Sequence, residues 1–102
     1  MAVLFTWVGG KTAKGVAERV QKAREAGYVG HVTLFFSEDI SASISAPELV
    51  TGRSIQHVVD VRSAGASLVC YHVSQTEVPV LIKPSDVAKL TRLTITSEFE
   101  GY

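Results

Sequence analysis

The first 37 residues change hydrophobic period twice, and this limits the folds that the chain can adopt. "AVLFTWV", residues 2–8, is a nearly continuous apolar run, typical of a strand that is buried on both faces. A helical apolar stripe follows, formed by Val16, Val20 and Ala23 with Ala13 and Ala17 beside it. Gly27 stands where a helix cap belongs, and "HVTLFFS", residues 31–37, follows it. The pattern predicts a strand–helix–strand unit.

The rest of the chain continues to alternate between helical and strand-like segments. Pro47 is predicted to open a second helix that ends at Gly65, and its apolar face consists of Ile55, Val58 and Val59. Further strands are predicted at residues 66–73, 78–82 and 92–98. Between the last two, Ser85 is a suitable cap for a short helix, "DVAKL".

The predicted order is therefore β-α-β-α-β-β-α-β within one domain, residues 1–102. Strands that alternate with helices predict a three-layer α/β sandwich with a mainly parallel, roughly five-stranded, flavodoxin-like sheet. In such a sheet, ligands bind beyond the carboxyl ends of the strands.

Composition narrows the function classes. Ten basic and ten acidic side chains give a formal net charge of zero, which argues against nonspecific nucleic-acid binding. No apolar run approaches the roughly 20 residues of a membrane span, and the N-terminus lacks the features of a signal peptide. A single cysteine allows no internal disulfide and no zinc site of its own. We expect a cytoplasmic protein without metal or cofactor, whose small core would gain from oligomerisation.

The loop after the first strand is the first candidate site. Gly9, Gly10 and Lys11 resemble the end of a phosphate-binding loop, although Phe5 stands where the full pattern requires another glycine. The start of the following helix can hold an anion. Alternatively, the two glycines form only a tight turn and Lys11 is solvated.

The segment after the second strand is the next candidate. Ser37 and Asp39, with Glu38 between them, would lie at the same edge of a parallel sheet, where acids can bind a metal or ribose hydroxyls. They can equally be solvated, or favour the start of the next helix.

Cys70 is the candidate with the most specific chemistry. On a strand, Cys70 and His72 would share a face, and a protonated imidazole nearby would favour the reactive thiolate. The alternative is that Cys70 is a buried packing residue, as free cysteines often are. The other two histidines, His31 and His57, are interpreted as structural.

Several segments together resemble the DsrE/DsrF-like sulfur-relay family. They are "VLFTWVGGKTAKGVAERVQKAREAGYVGHVTLFFSEDI", "VVDVRSAGASLVCYHVS" and "KPSDVAKLTRLTITS". The resemblance implies that Cys70 carries sulfur as a persulfide and passes it from a donor protein to an acceptor protein, and that the chain forms oligomers. The chain departs from the family pattern in "SEDISASIS" and in "YHVSQTEVP", after the cysteine.

Three hypotheses follow. The first is a sulfurtransferase that acts through Cys70, with His72 favouring the thiolate. The second is a module that binds a nucleotide or another phosphorylated ligand at Gly9, Gly10 and Lys11, with Cys70 as packing. The third is a non-catalytic subunit of a homo-oligomer, in which Cys70 is unreactive.

Overall fold

A computed structural model describes residues 4–8, 12–40 and 50–96. Its elements in chain order are β1 (Leu4–Val8), α1 (Ala13–Glu25), β2 (Val32–Phe36), β3 (Val50–Thr51), β4 (Ser54–Ala64), β5 (Ser67–His72), β6 (Gln75–Ile82), α2 (Pro84–Val87) and β7 (Leu90–Thr96). The predicted strands at 2–8, 31–37, 66–73, 78–82 and 92–98 all correspond to strands of this structure.

The sheet is antiparallel, so the predicted three-layer sandwich with a mainly parallel, flavodoxin-like sheet is wrong. Strands follow one another in the order β1-β7-β2-β4-β5-β6, with the two-residue β3 paired to β4. Every pairing between described strands is antiparallel. β7 lies between β1 and β2, and β4, β5 and β6 form a meander.

The error arises at β4, which occupies the segment predicted to be the second helix. Inward-facing residues of β4 are Ile55, Val58 and Val61, spaced three apart as on a helix. The pairing of β4 shifts register near Val58 with both neighbouring strands, and such bulges interrupt the two-residue alternation. Without a crossover helix before β5, a short turn joins β4 to β5, and this makes them antiparallel. Pro47, where the helix was predicted to begin, lies outside the described residues.

Gly65 does not end a helix, as predicted, but forms the turn between β4 and β5. Ala64 pairs with Ser67, which leaves a two-residue loop in which Gly65 has a φ of +63°. A positive φ at the first loop position suits the turns that match the twist of a hairpin, and glycine adopts it without steric cost.

The core lies between the sheet and the two helices, with α1 packed mainly on β4 and α2 on β5. The predicted stripe of α1 is confirmed, because Val16, Val20 and Ala23 are all buried. Strand β2 alternates regularly between buried and half-buried residues. The architecture is therefore two-layered, and no described helix covers the outer face of the sheet.

Both ends of α1 follow from local chemistry. Thr12 Oγ1 accepts a hydrogen bond from the Gly15 N–H at 3.1 Å, which caps the first turn. Gly27 has a φ of +104°, and the Tyr28 N–H donates back to the Ala23 carbonyl at 3.0 Å.

The short helix that was predicted to follow Ser85 is α2, and it begins one residue before Ser85, at Pro84. Among the described residues, no helix has the length and apolarity that a membrane crossing requires.

Candidate functional site

Cys70 belongs to the hydrophobic core. It lies in β5 opposite Val61 of β4 and Val80 of β6, and all three face the layer of helices. The exposed fraction of Cys70 is 0%. Its thiol is therefore surrounded by packed side chains rather than placed at an accessible edge of the sheet.

The electrostatic surroundings of Cys70 disfavour the thiolate. Burial, followed by the nearby carboxylate of Asp60, raises the pKa of the Cys70 thiol to about 12. Both effects penalise the negative charge, since the thiolate loses its hydration and meets another anion. In this conformation the thiol is protonated at neutral pH, and a protonated thiol is a poor nucleophile.

His72 stands at the end of β5, opposite Val58 of β4. Its Nδ1 accepts a hydrogen bond from the Ser74 N–H at 3.0 Å and lies 2.7 Å from Ser74 Oγ. Burial, then the neighbouring His57 and His31, lower the pKa of His72. This favours the neutral imidazole, whereas the predicted role beside Cys70 requires an imidazolium.

The loop residues predicted to share the site are distant from Cys70 along the sheet. Ser37 and Asp39 are exposed beyond the end of β2, and Asp39 forms an exposed ion pair of 3.6 Å with Arg53. Phe35 pairs with Ser54 at one end of β4, and Cys70 pairs with Val61. Seven residues of strand span about 20 Å, so these groups do not converge. Gly9, Gly10 and Lys11 lie outside the described residues.

A different group of side chains comes together on the outer face of β4, β5 and β6. We call it the outer patch, and it consists of Asp60, Arg62, Val69, Tyr71 and Leu81. Arg62, Val69 and Leu81 form one row across the three strands, because Val69 pairs with both of the others. Leu81 is 42% exposed, and Val69 is half-buried.

The polar half of the outer patch surrounds a shallow cavity. Arg62 Nε donates to Asp60 Oδ2 at 2.8 Å, and Asp60 Oδ1 accepts from the Val61 N–H at 2.9 Å. The Arg62 guanidinium carbon lies 5.6 Å from the centre of the Tyr71 ring. With Val59, these three side chains line a cavity of about 310 Å³. The patch thus offers an aromatic face, a cation and an anion beside exposed aliphatic surface.

The three histidines of the chain also meet, in a row that we call the histidine row. His57 lies between the other two, with its ring centre 5.7 Å from that of His31 and 6.2 Å from that of His72. Among the described residues, no group of histidine, cysteine or acidic side chains is arranged to hold a metal ion. The row is a cluster of titratable groups and not a preformed metal centre.

Sequence reasoning missed both clusters. Asp60 and Arg62 share a face only if their segment is a strand, and it had been predicted to be a helix. Tyr71 directly follows Cys70 on a strand and therefore points to the opposite face, which is the one signal that the sequence offers for the outer patch. The histidines at 31, 57 and 72 have no motif spacing, and only the register of β4 with its neighbours brings them together.

Comparisons of the chain with protein-family models, curated proteins and solved structures found no match. The resemblance to the DsrE/DsrF-like family therefore stays a prediction, and the parallel sheet expected with it is contradicted by the structure. The persulfide role of Cys70 and the phosphate-binding role of the Gly9 loop likewise stay predictions.

Proposed function

We propose that this chain is a non-catalytic, cytoplasmic binding subunit that associates with a second copy of itself through the outer patch. The observation that carries the proposal is the combination of Tyr71, the Asp60–Arg62 pair and the exposed Leu81 on the side of the sheet that no described helix covers. Tyrosine and arginine are enriched at the centres of protein interfaces.

Charge complementarity favours a second copy as the occupant. Asp60 and Arg62 stand next to each other with opposite charges, so a two-fold axis through the patch brings each Arg62 to the partner's Asp60. An interface of this kind is self-complementary. The formal net charge of zero also leaves little overall repulsion between copies.

At the β6 side of the sheet, face-to-face association is favoured over the addition of a strand at the edge. β6 is an edge strand, and it contains Pro79, which has no N–H to donate to an added strand. The aliphatic side chains of Val69 and Leu81 instead extend the patch across the outer face of the sheet.

Sedimentation equilibrium of the full chain, with Leu81→Asp as the test variant, examines the proposal. We expect the wild type to reach twice its 11.0 kDa mass at about 100 µM, and Leu81→Asp to remain monomeric. Val29→Asp is the matched control, since Val29 is 45% exposed and lies outside the patch. A wild type that stays monomeric, or equal loss of dimer in both variants, would overturn the proposal.

A second arm tests the charge pairing. Arg62→Asp should abolish the dimer, because each copy then presents only acids at this point. Combining Arg62→Asp with Asp60→Arg restores opposite charges in exchanged positions and should restore association. If the double variant is as monomeric as the single one, the Asp60–Arg62 pairing is not part of the interface.

A further inference from the structure

The histidine row joins three segments that are distant in the sequence. His31 precedes β2, His57 lies within β4, and His72 ends β5. Adjacent rings meet edge to face, with interplanar angles of 88° and 86°. The row therefore crosses β4 near Val58, where its pairing passes from β2 to β5.

The backbone is distorted at the central histidine. His57 has a φ of +58°, and it is the only non-glycine residue among those described with a positive φ. The left-handed region is unfavourable for a residue with a Cβ and persists only when surrounding structure enforces it. Here the His57 carbonyl accepts a hydrogen bond from the Val73 N–H at 3.0 Å, which ties the bulge of β4 to the residue after His72.

Two charged side chains of neighbouring elements, Arg24 and Asp60, lie close to the row in the fold and already have partners. Arg24 of α1 donates to the Gly30 carbonyl, next to His31, and to the Val59 carbonyl at 2.9 Å, two residues from His57. Asp60 of β4 is already hydrogen-bonded to Arg62 and to a backbone N–H. The other titratable side chains described in β4, in β5 and before β2 are Arg62, the buried thiol of Cys70, Tyr71 and Tyr28.

We propose that the histidine row is an acid-sensitive latch. When the three imidazoles are neutral, they pack together and the junction of β2, β4 and β5 near Val58 is closed. When neighbouring rings are protonated, their repulsion opens this junction. The proposal does not rest on self-association, because the latch acts within one chain.

The geometry sets the size of the effect. Two unit charges about 6 Å apart repel enough to change an equilibrium constant about threefold, even with the dielectric constant of bulk water. Protonation of all three rings creates two pairs of neighbouring positive charges. Their threefold effects multiply, so we expect about a tenfold increase in the unfolding equilibrium constant.

The direction of the pH dependence follows from His72. Its lowered pKa means that the unfolded chain binds the proton more readily than the folded chain does. The stabilisation is complete above about pH 6.5, the ordinary value for histidine, and is lost as the pH falls through the lower pKa of the folded state. In addition, protonated His72 Nδ1 could no longer accept the Ser74 N–H.

Urea unfolding in the presence of EDTA, at one protein concentration and between about pH 7.5 and about pH 5, tests the latch. His57→Asn removes the central imidazole, while asparagine still tolerates a positive φ. Over this range, we expect the unfolding constant of the wild type to rise about tenfold more than that of His57→Asn. Equal pH dependence in both proteins would overturn the proposal.

Two further variants keep the test decisive if His57→Asn does not fold. His31→Gln and His72→Gln each leave one neighbouring pair of histidines, and each should remove about a threefold share of the acid effect.

Native-state hydrogen exchange shows which part of the sheet opens on acidification. Amides of β4 and β5 near the row should exchange faster on acidification, after correction for intrinsic rates, than those of β7. Uniform acceleration across the sheet would contradict a local latch.

Discussion

Replacement of Cys70 by serine distinguishes a packing cysteine from a chemical one. Serine is close to cysteine in size, but its hydroxyl is far more polar. Cys70 is fully buried between Val61 and Val80, neither of which offers a side-chain acceptor. A buried hydroxyl without a partner costs about 1–3 kcal/mol. Cys70→Ala loses only part of the packing, at about 1 kcal/mol.

We therefore expect Cys70→Ser to be the less stable of the two variants, by about 1 kcal/mol or more. For Cys70→Ser, a loss of about 2 kcal/mol corresponds to a fall in Tm of roughly 10 °C in a domain of this size. Thermal and urea unfolding followed by circular dichroism measure both quantities. If Cys70→Ser were as stable as Cys70→Ala, polar groups or water would have to reach this position, and the assignment of Cys70 to a dry core would fail.

Three other substitutions test the supports of the fold by urea unfolding. Arg24→Ala should lower the free energy of unfolding by about 3 kcal/mol, because the half-buried guanidinium donates to the carbonyls of three separate residues. Arg24→Lys should recover little of this loss, since one ammonium group cannot reach all three carbonyls. Gly65→Ala should cost about 1 kcal/mol, since φ at this turn is +63°, and an unchanged midpoint would contradict the turn. Thr12→Ala should cost about 1 kcal/mol through loss of the cap of α1, whereas Thr12→Ser should retain most of it.

Much of the local structure could be predicted because the residues concerned obey a single hydrophobic period. In α1, buried Val16, Val20 and Ala23 repeat at helical spacing, and Gly27 adopts the expected positive φ. β2 alternates without interruption from Val32 to Phe36. For these segments, local propensity and the final packing agree.

β4 could not be predicted in the same way, because its bulges give it the period of a helix. Ile55, Val58 and Val61 face the core at intervals of three, and only the pairing with β2 and β5 shows why. This one misassignment changed the connection between β2 and β5 and hence the direction of the sheet. It also hid Asp60 and Arg62 as neighbours on one face.

The candidate site depended on the same error. Cys70 was correctly placed on a strand, but its predicted position at a ligand-binding edge required parallel strands. In the antiparallel meander, Cys70 lies between Val61 and Val80 in the core, and His72 faces the other histidines. No residue spacing in the sequence distinguishes a core cysteine from an exposed one, because both occupy strands of the same apolar composition.

The reactivity of Cys70 in the folded protein is the most direct test of the central claim, that this cysteine is a packing residue of a non-catalytic chain. The rate of reaction with a thiol reagent should be measured at neutral pH for the native chain and for the chain unfolded in urea. We predict that the native rate is at least about 1,000-fold lower, because reaction must wait for the core to open. A native rate within about tenfold of the unfolded rate, together with a sulfur adduct after incubation with a persulfide donor, would contradict the claim.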